Sequence, residues 1–174
     1  MTGSLVIRAA ELPDLATLTQ LSTDTFFETY AAYNEKASMD RHLAEKFNLQ
    51  QMASELSDAQ NQFFLASVDG HPAGYTKLRT SKILVELEGK NAIEIERIYV
   101  LKSFQGKKIG AALIQHSIDL ASINGFDTIW LGVWTENPKA INFYTQWGFE
   151  IFGTHIFYFG DDPQTDYLMK KELV

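Results

Sequence analysis

No cysteine occurs among the 174 residues. That excludes disulfides, thiolate metal sites, iron–sulfur clusters and a cysteine nucleophile. Any acyl transfer has to proceed without an acyl-cysteine. No apolar run approaches the roughly 18 residues of a membrane span, so no membrane segment is expected. The opening residues Met1-Thr2-Gly3-Ser4-Leu5 lack the basic start and long apolar stretch of a secretion signal, and a cytoplasmic location is the expectation. Positive charge is in the minority, with 15 Lys and Arg against 22 Asp and Glu and a net charge of −7. This balance argues against general nucleic-acid binding and favours a cationic small partner over an anionic one.

What is present is enough for a packed core. Hydrophobic residues make up 45% and aromatics 13%, which predicts one globular domain over residues 1–174. Strand and helix patterns alternate along the chain, as in α/β and α+β domains. Leu5–Ala9 reads as a strand. Leu12-Pro13-Asp14 opens a helix, with Leu15, Leu18, Leu21 and Phe26 at helical spacing, continuing to about Tyr33. A second helical region runs from about Ser38 to Leu56, broken near Asn48, which caps its second half. Gln62–Val68 and Ala73–Thr80 alternate as strands across the turn Asp69-Gly70-His71-Pro72. Ala92–Leu101 is a strand and Lys107–Asn124 a helix ended by Asn124-Gly125. Asp127–Trp134 is apolar on both faces and therefore central. Asn137-Pro138 starts a helix that stops at Gly148. Glu150–Phe159 and Tyr167–Glu172 close the sheet. The strand–helix–strand order around Lys107–Asn124 implies a parallel strand pair.

One junction carries more chemistry than the rest. The strand ending at Leu101 runs through Lys102-Ser103-Phe104-Gln105-Gly106-Lys107-Lys108-Ile109-Gly110-Ala111 into a helix. A helix N-terminus offers backbone N–H groups and partial positive charge, and glycines let backbone approach a ligand closely. Gln105, Lys107 and Lys108 add donors, so the junction suits a diphosphate or triphosphate. A P-loop requires Gly-Lys followed by Ser or Thr, and a dinucleotide fingerprint requires G-x-G-x-x-G; neither is met. A plain strand-to-helix connection and a nucleotide-phosphate site remain the alternatives.

Three features now stand in order: Gln105-Gly106-Lys107-Lys108-Ile109-Gly110, the Asn137-Pro138 helix start, and Phe143-Tyr144 followed by Trp147-Gly148-Phe149. This order resembles the GNAT superfamily of acetyl-CoA-dependent N-acetyltransferases. The resemblance implies a mixed, mostly antiparallel sheet flanked by helices, with two splayed central strands, here Ala92–Leu101 and Asp127–Trp134. It implies that Ile98, Tyr99 and Val100 offer main-chain hydrogen bonds to the pantetheine arm of acetyl-CoA. It further implies that the amides of Gln105, Gly106, Lys107, Lys108, Ile109, Gly110 and Ala111 hold the pyrophosphate, and that Asn137, Lys139 and Ala140 contact the far side of the cofactor. The first glycine of the family pattern falls on Lys108, where a helical residue is expected to supply the same backbone amide.

Acetyl transfer from a thioester to an amine needs a neutral amine, a polarised carbonyl and a protonated leaving group. By the resemblance Tyr144 lies near the cofactor sulfur, and a phenol suits proton donation to a thiolate; a core aromatic is the alternative. Glu94 and Glu96 point to one face of their strand, and either could accept the amine's proton, Glu96 being preferred; an edge-solvated or salt-bridged glutamate is the alternative. Asp24, Thr25, Phe26, Phe27, Glu28, Tyr30 and Tyr33 form an acidic and aromatic patch at the end of the first helix, a region that in this family often lines the acceptor pocket and suits an alkylammonium chain; a helix with one solvated and one buried face is the alternative. With Glu96-Arg97-Ile98-Tyr99-Val100, this patch is similar to the PaiA-type spermidine/spermine acetyltransferases. The expected reaction is direct acetyl transfer to a small primary amine, a polyamine first. An amino acid, a drug amine, a protein N-terminus or a non-catalytic acyl-CoA sensor are the alternatives. His42, His71, His116 and His155 lie in separate elements without metal-ligand spacing, and no metal is expected. The alternating aromatics Phe152, Phe157, Tyr158 and Phe159 are expected in the core, with a homodimer contact as the second reading.

Overall fold

The computed structural model of the chain describes residues 3–173. The fold is mixed α/β. Its strands are β1 (Leu5–Ala9), β2 (Asn61–Val68), β3 (His71–Arg79), β4 (Ala92–Val100), β5 (Thr128–Trp134), β6 (Glu150–Phe159) and β7 (Asp162–Glu172). Its helices are α1 (Leu15–Tyr30), α2 (Lys36–Lys46), α3 (Leu49–Ser57), α4 (Ile109–Ile123) and α5 (Pro138–Gln146). The strands hydrogen-bond in the order β1-β2-β3-β4-β5-β7-β6. The β1–β2, β5–β7 and β6–β7 pairs are antiparallel and β4–β5 is parallel. The chain forms two compact units, one of Met1–Leu78 with Arg97–His116, the other of Arg79–Glu96 with Ser117–Val174.

In the first unit, Leu18, Leu21 and Phe26 of α1 are buried at the expected helical spacing. The helix is preceded by a short 3-10 turn over Leu12–Asp14, where the Asp14 carboxylate accepts the Glu11 N–H at 2.8 Å. Beyond Tyr30 the chain tightens into another 3-10 turn, Ala31–Tyr33. The helical region that follows breaks at Asn48, whose side-chain oxygen accepts the Gln51 N–H at 2.8 Å and caps α3. The β2–β3 turn is shorter than expected. Only Asp69 (φ 50°) and Gly70 (φ 80°) form it, and His71 already belongs to β3. Two successive positive φ values match the right-handed twist of a hairpin.

On one face of β4, Ile98 and Val100 pack against Ile109 and Leu113 of α4 and Ala66 and Ala73 of β2 and β3. On the other face Arg97 lies over the Phe47 ring at 5.1 Å. Arg97 makes two hydrogen bonds to Glu55, at 2.8 and 3.1 Å, and the buried Lys77 makes another at 2.9 Å. Burial opposes the charge on Glu55, but Arg97, Gln51 and Lys77 outweigh it and bring the carboxyl down to about 2.

In the second unit, β5 is buried on both faces through Ile129, Trp130, Leu131 and Val133. Trp130 packs with Leu168 of β7, Phe152 of β6 and Leu87. Leu87 comes from a 3-10 turn, Val85–Leu87, for which the sequence carried no periodic signal. Strand β7 begins at Asp162 rather than Tyr167. Pro163 has no N–H to donate, but it sits where β7 has run past the end of its pairing with β5, which stops at Trp134↔Asp166. Of the β6 aromatics, Phe159 is buried and Phe152 packs on the core, whereas Phe157 and Tyr158 are exposed. The expectation of a core role fails for those two because β6 ends the strand order, with β7 as its one neighbour among the described residues. No helix among the described residues is long and apolar enough to cross a membrane.

Candidate active site

The strongest sequence signal lies in the first unit. From β4 the chain passes through a 3-10 turn, Lys102–Phe104, to Gln105, Gly106, Lys107 and Lys108, and α4 starts at Ile109. The helix therefore begins later than the expected Lys107. Gly106 has φ 78°, and an added Cβ there would meet nothing within 4 Å. Lys108 has φ 62°. It is not the helical residue expected from the family pattern; it keeps the left-handed backbone that a glycine adopts without strain. The Ala112 N–H donates to the Lys108 carbonyl at 3.0 Å. The N–H groups of Ile109, Gly110 and Ala111 precede that bond, at the positive end of the helix dipole.

The side chains of this loop are partly engaged. Gln105 turns back and donates to the Val100 carbonyl at 3.2 Å, so it braces the loop against the strand. The Lys107 ammonium lies 5.0 Å above the Phe104 ring, and Lys108 is exposed. Anion capacity thus rests on backbone amides and two nearby cations. That set fits a diphosphate. Beside the loop, a Cβ on Gly74 would come within 2.5 Å of the Tyr99 carbonyl oxygen, so β3 requires glycine there to approach β4. The Leu101 N–H donates to the Ala73 carbonyl at 2.9 Å.

The acidic and aromatic patch at the end of α1 is only partly assembled. The Tyr30 hydroxyl lies 3.4 Å from the Tyr99 hydroxyl, which brings one acceptor candidate to one cofactor candidate. Phe26, behind it, is stacked on His42 with ring centroids 4.5 Å apart. Phe27 and Tyr33 are exposed. Asp24 accepts from Gln20 at 2.8 Å. Glu28 accepts the Lys102 backbone N–H at 2.7 Å and so anchors the loop. Thr25 is buried, bonded to the Leu21 carbonyl.

In the second unit, Glu94 and Glu96 converge on Arg79. Its Nη1 donates to Glu96 at 3.0 Å and its Nε and Nη2 to Glu94. Glu94 is buried and Glu96 half-buried. Arg79, absent from the sequence reading, therefore occupies oxygens of both candidate bases. The parallel β4–β5 register runs Ala92↔Thr128, Ile93↔Ile129 and Glu94↔Trp130. Ile95 and Glu96 of β4, and Leu131 and Gly132 of β5, lie past its end while both strands continue. This is the parting of central strands that the resemblance implied.

Asn137 caps α5, accepting the Ala140 N–H at 3.2 Å, and Pro138 occupies the first turn. Its side chain and the Ala140 amide are thus committed to the helix start; Lys139 is exposed. Tyr144 is half-buried, with its ring centroid 5.4 Å from Phe143 and 6.0 Å from Phe149. The left-handed Gly148 (φ 85°) follows the last turn. Sequence reasoning also missed a pair on the last hairpin, His155 and Asp166, 3.2 Å apart. Pairing could have exposed it, since a two-residue turn at Gly160-Asp161 sets these residues opposite each other, but starting the last strand at Tyr167 left Asp166 out.

The acetyltransferase (GNAT) family model matches residues 16–149. The chain belongs to the GNAT family. The GNAT chain is 36% identical over 174 residues, covering all of both chains, to an uncharacterized N-acetyltransferase in the pepI 3′ region of Lactobacillus delbrueckii subsp. lactis. It is 24% identical to the spermidine N(1)-acetyltransferase of Thermoplasma acidophilum, over 97% of this chain and 98% of that protein. The crystal structure of the PaiA N-acetyltransferase from T. acidophilum, in complex with coenzyme A, superposes with a TM-score of 0.80 at 24% identity, covering 97% of this chain and 99% of that one. The GNAT reaction is acyl transfer, and acetyl-CoA is the co-substrate. The Gly106–Ala111 backbone is the part of this chain chemically suited to its diphosphate.

Proposed function

We propose that this GNAT protein transfers acetyl directly from acetyl-CoA to a primary amine of a small acceptor, and that the acceptor is a polyamine such as spermidine or spermine. All 174 residues then act as one N-acetyltransferase domain, since the family match spans segments of both units. The observation that carries the acceptor reading is the convergence of Glu94 and Glu96 on one guanidinium. Two carboxylates around one cation leave a net negative charge, which favours a further alkylammonium group nearby. The likeness to a spermidine N(1)-acetyltransferase over almost the whole chain supports the same choice.

In this reading the amides from Gly106 to Ala111 and the strand residues Ile98, Tyr99 and Val100 bind the cofactor, and Asn137 holds the start of α5. Tyr144 gives a proton to the departing thiolate. With no cysteine in the chain, no acyl-cysteine stands between donor and amine. Lys108, at a glycine position of the family pattern, keeps a left-handed backbone, which supports a working loop.

The experiment is release of free coenzyme A from acetyl-CoA in the presence of spermidine, spermine, free amino acids, an aminoglycoside and a peptide with a free N-terminus. Turnover fastest on the polyamines is expected. Faster turnover on another class reassigns the acceptor, and coenzyme A binding without turnover on any amine overturns the catalytic reading.

A further inference from the structure

Strands β6 and β7 meet at Gly160-Asp161, Phe159 stands opposite Asp162, and the register carries His155 to a place opposite Asp166. The imidazole Nε2 lies 3.2 Å from Asp166 Oδ2, and the two side chains are 29% and 18% exposed. Across β7, Asp166 is paired with Trp134 of β5 and Leu168 with Gly132. Partners in register share a face, so His155, Asp166, Trp134 and Gly132 stand on one side of the sheet. Trp130, on that same side, is the last β5 residue in register with β4, opposite Glu94. Gly132 is the next position on that face.

Gly132 has no backbone reason to be glycine, because its φ lies outside the left-handed region. Its neighbours Trp130, Leu131, Val133 and Trp134 are all large. Glycine weakens a strand interior, and in such a place marks close approach of a ligand or another backbone. A Cβ there would lie 3.5 Å from both Asp166 Oδ2 and His155 Nε2. Residue 132 is exposed. The missing side chain therefore leaves a recess open to solvent, with an imidazole and a carboxylate oxygen both facing it.

We propose that this recess seats the acceptor's ammonium group and that His155 takes its proton. The proposal rests on the acetyltransferase reading and adds the residues that activate the amine. With the ammonium seated between Nε2 and Asp166 Oδ2, the neutral ring carries its hydrogen on Nδ1 and leaves Nε2 to accept. The ammonium donates one N–H to Asp166 Oδ2 and one to His155 Nε2, and the second proton moves to Nε2. The imidazolium formed is paired with Asp166, which holds both its charge and its orientation. The freed amine lone pair attacks the acetyl carbonyl carbon. The new N–C bond forms and the C–S bond breaks. The thiolate takes a proton from Tyr144, which recovers one from the amide nitrogen, and His155 releases one proton per turnover. Arg79 occupies Glu94 and Glu96, which makes them cation-binding groups here. Other charged groups on this face are Lys170, paired with Glu172 at 3.2 Å, and Lys82, over the Trp130 ring.

Gly132→Val and His155→Gln test the proposal, with spermidine as acceptor or, if another amine of the panel turns over faster, that amine. Valine suits an exposed strand position, and calorimetric binding of coenzyme A verifies that each variant is folded. Gly132→Val is expected to raise KM for the amine at least about tenfold with coenzyme A affinity unchanged. His155→Gln is expected to lower kcat/KM about 100-fold at neutral pH, with the deficit shrinking as pH rises and the free amine becomes abundant. Wild-type rates in both folded variants overturn the proposal alone. A His155→Gln deficit independent of pH also overturns it. A wild type that binds coenzyme A but acetylates no amine overturns the acetyltransferase reading, and this proposal with it.

Discussion

The Glu28 carboxylate accepts the Lys102 backbone N–H at 2.7 Å, fastening the last turn of α1 to the turn that enters the glycine loop. A charge-assisted bond of this kind positions backbone rather than substrate. Glu28→Ala is expected to raise KM for acetyl-CoA by about threefold to tenfold and to leave KM for the amine unchanged. Glu28→Gln, which keeps an acceptor oxygen, restores most of the loss. Steady-state kinetics with each substrate varied in turn distinguishes this from an acceptor-pocket role, in which the amine KM would move instead.

Lys108 holds φ 62°, a conformation that costs a residue with a Cβ roughly 1–2 kcal/mol. Glycine removes that cost but gains freedom in the unfolded chain. Lys108→Gly is therefore expected to stabilise the fold by up to about 1 kcal/mol, and Lys108→Val to destabilise it, because β-branching resists positive φ. Urea unfolding measures both. Equal stability of the valine variant would show that the loop can relax out of the left-handed region.

Tyr144→Phe removes one oxygen and keeps the ring against Phe143 and Phe149. Turnover is expected to fall at least about tenfold, with coenzyme A affinity unchanged. An unchanged kcat makes Tyr144 a packing residue. Gly110→Asp provides the contrasting variant, expected to weaken coenzyme A binding by steric bulk and negative charge at the helix start while leaving the ring in place.

Burial pushes the His42 imidazole down to about 4, with Lys46 next among the causes. Its ring is stacked on Phe26. The unfolded chain takes up a proton near 6.5, before the folded protein does. Stability from this residue is complete above about pH 6.5 and is lost as pH falls toward 4. Thermal unfolding midpoints should decline across that window, and His42→Phe should flatten the decline. Glu55 titrates lower, near 2, and leaves the upper part of the window to His42. A pH profile unaltered by His42→Phe would place the acid sensitivity elsewhere.

The element order was legible because the periods were clean. Leu18, Leu21 and Phe26 mark one helix face, and Ile129, Leu131 and Val133 mark one buried side of a strand whose other side carries the buried Trp130. The glycine loop was legible because backbone chemistry at a helix start depends little on tertiary detail. Three kinds of feature were not. Lys108 takes a glycine conformation that its side chain gives no reason to expect. Arg79 reaches Glu94 and Glu96 from a neighbouring strand, a long-range choice invisible to periodicity. Asp166 fell outside the last strand because that strand was expected to start at Tyr167, whereas it starts at Asp162.

The chain leaves the first unit at Leu78, returns at Arg97 and leaves again at His116. The glycine loop therefore belongs with residues that precede it by an intervening stretch built into the other unit. Neither half can be excised as one contiguous fragment, so truncation mapping would destroy both together. During synthesis on the ribosome, the unit that holds this turn cannot be completed until the polypeptide through His116 has emerged.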